Sequence, residues 1–175
     1  MKVLVIIAHP AIEQSTVNKA WMVEELKKHD NITVHELYQE YKEEIDVKRE
    51  QELCEAHDRI VWQFPFYWYS SPPLLKEWQD KVLTYGWAFG SNGNALHGKE
   101  LILAVTTGSG AEKYRAGGLN HYSMSELLKP FQATSNLIGT TFLPSYLFYG
   151  TYGATKEEIQ KSAKEYAEYI VTPVS

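Results

Sequence analysis

The chain of 175 residues carries a single cysteine, Cys54. One thiol excludes an internal disulfide, a C-x-x-C redox pair and a cysteine-rich metal site, and it suits a reducing cytoplasm. Neither G-x-G-x-x-G nor G-x-x-x-x-G-K-[ST] occurs, which removes the Rossmann fingerprint and the Walker loop. The six histidines, at positions 9, 29, 35, 57, 97 and 121, lack the close pairing of a metal site, so no metal is expected. Ser109 stands in Gly108-Ser109-Gly110 rather than in a G-x-S-x-G elbow. Excess positive charge is also missing. With 17 Lys plus Arg against 22 Asp plus Glu, the net charge of −5 does not suit a general nucleic-acid binder.

Long apolar runs are absent too. Met1-Lys2 leads directly into Val3–Ala8, too short for a signal core, so no targeting segment is expected. The longest uncharged stretch, Pro130 to Thr155, is broken by two prolines, three glycines and many hydroxyl and amide side chains. A spanning helix wants about 20 predominantly apolar residues. What the chain has in excess is aromatic side chains, at 13% with 5 Trp, 12 Tyr and 6 Phe.

The length suits one domain, residues 1–175. Short apolar runs at Val3–Ala8, Ile32–Tyr38, Ile60–Phe64, Leu101–Thr106 and Ile138–Leu143 read as strands. The first, third and fourth have little polar alternation, as strands buried on both faces of a parallel sheet do. Polar neighbours interrupt the second and place it nearer an edge. Helical segments fill the gaps. One runs from Thr16 to His29 with Ser15 or Thr16 as its cap; another follows Pro72-Pro73 with Leu74, Leu75, Trp78 and Val82 on one face. Capping boxes at Ser123–Glu126 and Thr155–Glu158 open two more, the first kinked at Pro130. The charged stretch Lys42–Glu55 reads as a solvated helix face, with Cys54 inert. Strands alternating with helices predict an α/β doubly wound, five-stranded parallel sheet of order 2-1-3-4-5 with helices on both faces.

Such sheets bind ligands beyond the carboxyl ends of their strands. After strand one, His9, Ser15 and Thr16 precede a helix start, where free N–H groups and the helix dipole favour an anion. After strand three comes Phe64-Pro65-Phe66-Tyr67-Trp68-Tyr69, a stiff aromatic loop suited to a flat ring or to packing. After strand four, Thr107-Gly108-Ser109-Gly110 lets a ligand approach the backbone, and Tyr114 and His121 add proton-capable groups.

Together, Ala8-His9-Pro10 with Ser15 and Asn18, Val61-Trp62-Gln63-Phe64-Pro65 leading to Trp68-Tyr69-Ser70, Pro72-Pro73-Leu74-Leu75-Lys76, Gly86-Trp87-Ala88-Phe89-Gly90 and Thr106-Thr107-Gly108 resemble the flavodoxin-like NAD(P)H:quinone oxidoreductases. The similarity is greatest to the branch of the Kef potassium-efflux ancillary oxidoreductase and the general stress proteins. The resemblance implies a flavodoxin-like fold and a non-covalent FMN, with FAD the alternative. It implies NADH or NADPH as hydride donor and a quinone or other electrophile as acceptor, exchanging through one pocket by a ping-pong sequence. His9, Ser15, Val17 and Asn18 match the phosphate loop. Pro65, Phe66, Tyr67 and Trp68 match the segment along the isoalloxazine, which bonds its polar edge through backbone N–H groups. Thr107, Gly108 and Ser109 match the loop at its pyrimidine end. Tyr114 and His121 are the expected catalytic pair, although spacing from Tyr114 places Asn120 at the family's histidine and His121 one residue beyond. A homodimer is implied, as is cytoplasmic location. A role as ancillary subunit of a glutathione-gated potassium-efflux protein, at the inner face of the membrane, is the alternative.

Overall fold

The computed structural model describes residues 1–174, apart from the side chains of Val23 and Glu24. Its sheet contains β1 (Val3–Ile7), β2 (Ile32–Glu36), β3 (Arg59–Pro65), β4 (Glu100–Thr106), β5 (Thr141–Phe142) and β6 (Tyr146–Phe148). All pairings are parallel, in the order β2-β1-β3-β4-β5, with β6 also on β4. This is the flavodoxin-like order, and β2 occupies the edge that its polar interruptions predict.

Alternation along each strand divides the core in two. Leu4 and Ile6, Ile60, Trp62 and Phe64, and Leu101, Leu103 and Val105 face one layer. There they meet α3 (Val47–Glu55), α4 (Pro73–Val82) and α6 (Lys129–Leu137) through Cys54, Leu75, Trp78 and Phe131. Val3, Val5, Ile7, Val61, Ile102 and Ala104 face the other layer, covered by the helix after β1 and by α7 (Lys156–Val171).

The expected fifth strand is displaced. Ile138 and Gly139 still belong to the turn ending α6, and the edge is made in two pieces, β5 and β6. Pro144 lies between them and can donate no ladder bond, so the chain leaves β4 after Leu143 and returns at Tyr146. The helix after β1 has the expected extent but not uniform winding. It is α-helical over α1 (Val17–Lys19), π-helical over Ala20–Glu25 and 3-10 over Leu26–Lys28. Both capping boxes form, at Ser123 and Thr155. The helix opened at Ser123 breaks at Leu128 into α5 (Met124–Leu127) and α6, with Pro130 tolerated in the first turn of the second piece. No helix among the described residues is long and apolar enough to cross a membrane.

The stretch Lys42–Glu55 is not simply a solvated face. Glu50 on α3 is fully buried, and its carboxylate accepts hydrogen bonds from His35 Nε2 at 2.7 Å, Trp78 Nε1 at 2.7 Å and the Tyr41 hydroxyl. Four elements around the β2 edge, namely β2, α2 (Leu37–Glu40) with Tyr41 at its end, α3 and α4, are joined through one carboxylate. Burial alone would raise its pKa, but the bonds from His35, Tyr41 and Trp78 outweigh that and hold it below 4.5. Glu50→Ala should therefore cost about 3–5 kcal/mol in urea unfolding, because three buried polar groups lose their acceptor. The sign with pH follows from the depressed pKa. The Glu50 contribution is complete above about pH 4.5 and disappears as pH falls through the folded-state value, so Glu50→Gln should flatten that acid limb.

Candidate functional site

The carboxyl ends of β1, β3 and β4 surround a cavity of about 620 Å³. One wall is the turn from Ala11 to Asn18, with His9 at its root; another is Pro65, Phe66 and Tyr67; the floor is Thr106 and Gly108; Thr151 and Tyr152 close the far side. A smaller slot of about 200 Å³, walled by Phe66, Trp68, Tyr69 and Tyr114 with Ser109 and Asn120 as its polar lining, shares Phe66 with it. Eight of the residues matched to a flavin site, His9, Ser15, Val17, Asn18, Pro65, Phe66, Tyr67 and Gly108, line the larger cavity. Trp68 and Ser109 line the slot, and Thr107 lies buried behind the loop.

The turn after β1 holds unused donors. The Ser15 hydroxyl accepts the N–H of Asn18 at 3.1 Å and so caps the helix. Thr16 is already helical in backbone and makes no side-chain cap. Among the described residues, the N–H groups of Thr16 and Val17 have no acceptor, and they belong to the first turn of a helix. His9 Nδ1 accepts the Ala11 N–H at 3.1 Å, so in the neutral ring Nε2 carries the proton and is free to donate. Burial lowers the His9 pKa below 6.5, which keeps that tautomer at neutral pH. The donors suit an anion bearing several oxygens.

Asn18 has a different part. Its side chain is buried, donating to Thr106 Oγ1 at 2.9 Å and accepting from Gln63 Nε2 at 3.2 Å. Gln63 in turn accepts from the Tyr166 hydroxyl at 3.1 Å. The Asn18 amide is thus engaged inside the protein, holding the turn to the sheet while its surface borders the cavity.

The aromatic loop is a tight reversal. Tyr67 and Ser70 exchange backbone hydrogen bonds at 3.1 and 2.9 Å, and the central residues Trp68 and Tyr69 have φ of 47° and 60°. Positive φ at both central positions is the type I′ pattern, which normally selects Asn and Gly. Two bulky aromatics there store about 1–3 kcal/mol each. The strain leaves Trp68 93% exposed at the rim of the slot. Of the four residues matched to the flavin edge, Pro65 has no N–H, Phe66 donates to Thr106 and Tyr67 to Ser70; the Trp68 N–H remains. In the loop after β4, the Thr107 N–H goes to Phe148, whereas those of Gly108 and Ser109 have no acceptor among the described residues. A Cβ at Gly108 would come within 2.5 Å of the Tyr152 ring, so glycine lets that ring lie over the loop.

Tyr114 meets Phe66 edge to face at 6.1 Å and Tyr149 at 5.7 Å. Burial raises its pKa, opposed by the hydroxyls of Thr107 and Ser109, so the phenol stays protonated at neutral pH. His121 does not line the slot. It is exposed, with φ 61°, in a turn closed by the Tyr122 N–H on the Asn120 carbonyl at 2.8 Å, and Asn120 takes the place beside Tyr114. Gln14, Thr16, Thr151 and Tyr152 also line the large cavity but are not among the sequence-based site residues. Only the free N–H groups of the helix start marked Thr16; nothing local marked the segment after β6.

A family model described as a flavodoxin-like fold matches residues 1–170. The chain is 71% identical to general stress protein 14 of Bacillus subtilis (strain 168) over 99% of both chains. It is 53% identical to the uncharacterized NAD(P)H oxidoreductase YrkL of the same organism, over 97% of this chain and 98% of that one. Identity is 42% to the glutathione-regulated potassium-efflux system ancillary protein KefF of Salmonella schwarzengrund, over 97% and 96%. The crystal structure of general stress protein 14 from Treponema denticola, in complex with FMN, superposes with a TM-score of 0.93 at 47% identity, over 97% and 98%.

The Asn18 network yields a stability prediction separable from ligand binding. Asn18→Leu should destabilise the ligand-free chain by about 1–3 kcal/mol in urea unfolding, since Thr106 and Gln63 lose buried partners. Ser15→Ala should cost about 1 kcal/mol, the value of an N-cap.

Proposed function

The chain belongs to the flavodoxin-like fold family, and on that premise we propose that it is an FMN-dependent oxidoreductase that carries a hydride from NAD(P)H to a quinone or similar flat electrophile. The observation that carries the reading is the junction of two cavities at the carboxyl edge of the sheet. The larger ends in anion-binding donors, and the smaller is an aromatic slot one ring away. A relative in complex with FMN and another named an NAD(P)H oxidoreductase support the same class.

The residues present fit the cofactor. The Thr16 and Val17 N–H groups, the Ser15 hydroxyl and His9 Nε2 would hold its phosphate, and the helix dipole adds to the attraction. Pro65, Phe66 and Tyr67 would flank the ring system. The free N–H groups of Trp68, Gly108 and Ser109 would meet its polar edge. Bound FMN supplies the two-electron carrier that accepts hydride from one substrate and passes it to the next. Donors fixed at the polar edge stabilise negative charge developing there, without reorganising as it appears. Tyr114, kept protonated, is a neutral donor beside the same region. The slot is small, about 200 Å³, and walled by aromatic rings, so nicotinamide and acceptor would occupy it in turn, the order of a ping-pong exchange.

A homodimer completes this reading. Trp68 and Tyr69 on the slot, and Leu119 and Tyr122 on either side of Asn120 and His121 in the chain, are exposed apolar side chains that a second copy of the chain would cover. The likeness to KefF favours a second reading, in which the same chain serves as ancillary subunit of a potassium-efflux protein. Recovery of a Kef-type channel with the tagged chain from detergent-solubilised membranes tests it.

The purified chain should be yellow or take up FMN, and anaerobic NADH or NADPH should bleach the visible absorption of the oxidised flavin, at about 10² s⁻¹ or below. A chain that takes up no FMN would overturn the reading. Tyr114→Phe should slow bleaching about tenfold or more while changing FMN affinity less than about threefold. An unchanged rate removes Tyr114 from the mechanism.

A further inference from the structure

We infer that Asn120, held by the hydroxyl of Tyr69, orients the carbonyl of the acceptor in the aromatic slot, and that the proton for the reduced acceptor comes from Tyr114 or water and not from a histidine. The inference rests on the flavin reading above and specifies the acceptor side of that site.

Two strained turns face each other across the slot. Tyr69, at φ 60°, reaches from the reversal after β3 and donates its hydroxyl proton to Asn120 Oδ1 at 3.0 Å. Asn120 sits at the end of the loop that carries Tyr114. Its own N–H is tied to the Lys113 carbonyl at 3.0 Å, and its carbonyl accepts the Tyr122 N–H at 2.8 Å around His121 at φ 61°. A backbone bent this sharply persists only where surrounding bonds over-determine it. Here it keeps Asn120 on the slot while His121 stands outside it.

The Tyr69 bond also fixes which way the amide faces. With Oδ1 engaged as acceptor, Nδ2 is left with its two N–H donors and no partner among the described residues. A donor pair in the polar lining of an aromatic slot matches a carbonyl oxygen lying in the plane of a flat ring. The slot is also lined by Ser109, whose backbone N–H has no acceptor among the described residues.

Atoms and charge set what the remaining groups must do. A quinone that receives a hydride, with its two electrons, becomes an anion with charge on the carbonyl oxygen, and one proton completes the hydroquinone. A neutral amide donates a hydrogen bond to that oxygen but cannot release a proton. The titratable groups around Asn120 are Tyr69 from the facing turn, and Glu112, Lys113, Tyr114, Arg115 and His121 along its own loop; of these, Tyr69 and Tyr114 line the slot. Tyr69's proton is engaged on Asn120, which leaves Tyr114 or water to supply the proton, with the phenolate reprotonated by solvent.

The test uses the FMN-loaded chain, with 1,4-naphthoquinone titrated into the oxidised protein in the absence of any hydride donor. Asn120→Ala should weaken naphthoquinone about tenfold and FMN less than about twofold, and Tyr69→Phe should weaken naphthoquinone by a smaller factor. His121→Gln should leave both constants unchanged. In turnover, Asn120→His should add to the wild-type pH profile a limb with an apparent pKa of about 6–7 that the wild type lacks. An unmoved naphthoquinone constant in Asn120→Ala, an equal loss of FMN affinity, or a wild-type histidine limb that His121→Gln removes would each overturn the inference. A wild-type chain unable to take up FMN fails at the earlier reading, and this one falls with it.

Discussion

Gln63 lies within β3 with no exposure to solvent, yet it carries a polar amide. That amide needs partners, and it finds them on Asn18 in the first turn after β1 and on Tyr166 of α7. Asn18 passes the chain of bonds on to Thr106 at the end of β4. Two strands, β3 and β4, and two helices, α1 and α7, therefore meet at one buried line of side-chain hydrogen bonds. An unsatisfied buried amide is costly, so the turn at Ser15–Asn18 cannot drift from the sheet without leaving one behind. Everything on the carboxyl edge inherits that placement. The free N–H groups of Thr16 and Val17 stand where they do because Asn18 is fixed, and the floor at Thr106 and Gly108 is set by the same bond.

The outer rim of the site obeys a different principle. Between Tyr67 and Ser70 the backbone adopts a reversal built for Asn-Gly but filled by Trp68 and Tyr69. A local preference is violated where a flat surface must be presented. The aromatic excess of the chain divides accordingly. Trp21, Trp62, Trp78 and Tyr166 are buried structure, Trp21, Trp78 and Tyr166 with their polar atoms bonded inside. Phe66, Trp68, Tyr69 and Tyr114 form the slot. The first set supplies apolar area to two cores, while the second needs the strained turn to stay at the surface.

Much of the architecture was legible because its causes are local. The runs at Val3, Ile60 and Leu101 are apolar without alternation, and only a doubly covered parallel sheet accommodates that. The capping boxes at Ser123 and Thr155 are each complete within four residues. Pro72 and Pro73 declare a helix start. The strand at Ile138–Leu143 misled because apolar residues ending α6 run directly into those beginning the edge, and Gly139 separates them only by its positive φ. The charged stretch before Cys54 misled for the opposite reason. Polar neighbours, Lys48, Arg49, Gln51 and Glu52, conceal Glu50, whose partners His35, Tyr41 and Trp78 come from other elements.

The three loops of the candidate site were also visible in the sequence, because strand ends locate them and residue type limits what they can bind. By itself the sequence determined the sheet order and the strand ends at which a ligand would be sought, and it left the anion and flat-ring readings beside capping and packing. Hydrophobic period, caps and turn residues act over a few positions, and those are enough for such conclusions. Only the tertiary structure decided that Asn18 braces rather than reaches, that Thr151 and Tyr152 close the cavity, and that Asn120 rather than His121 borders the slot. Each of these depends on which distant group a side chain meets. A single residue of turn geometry, the positive φ at His121, separates two neighbours by the width of the chain, and no local pattern of residue types encodes it.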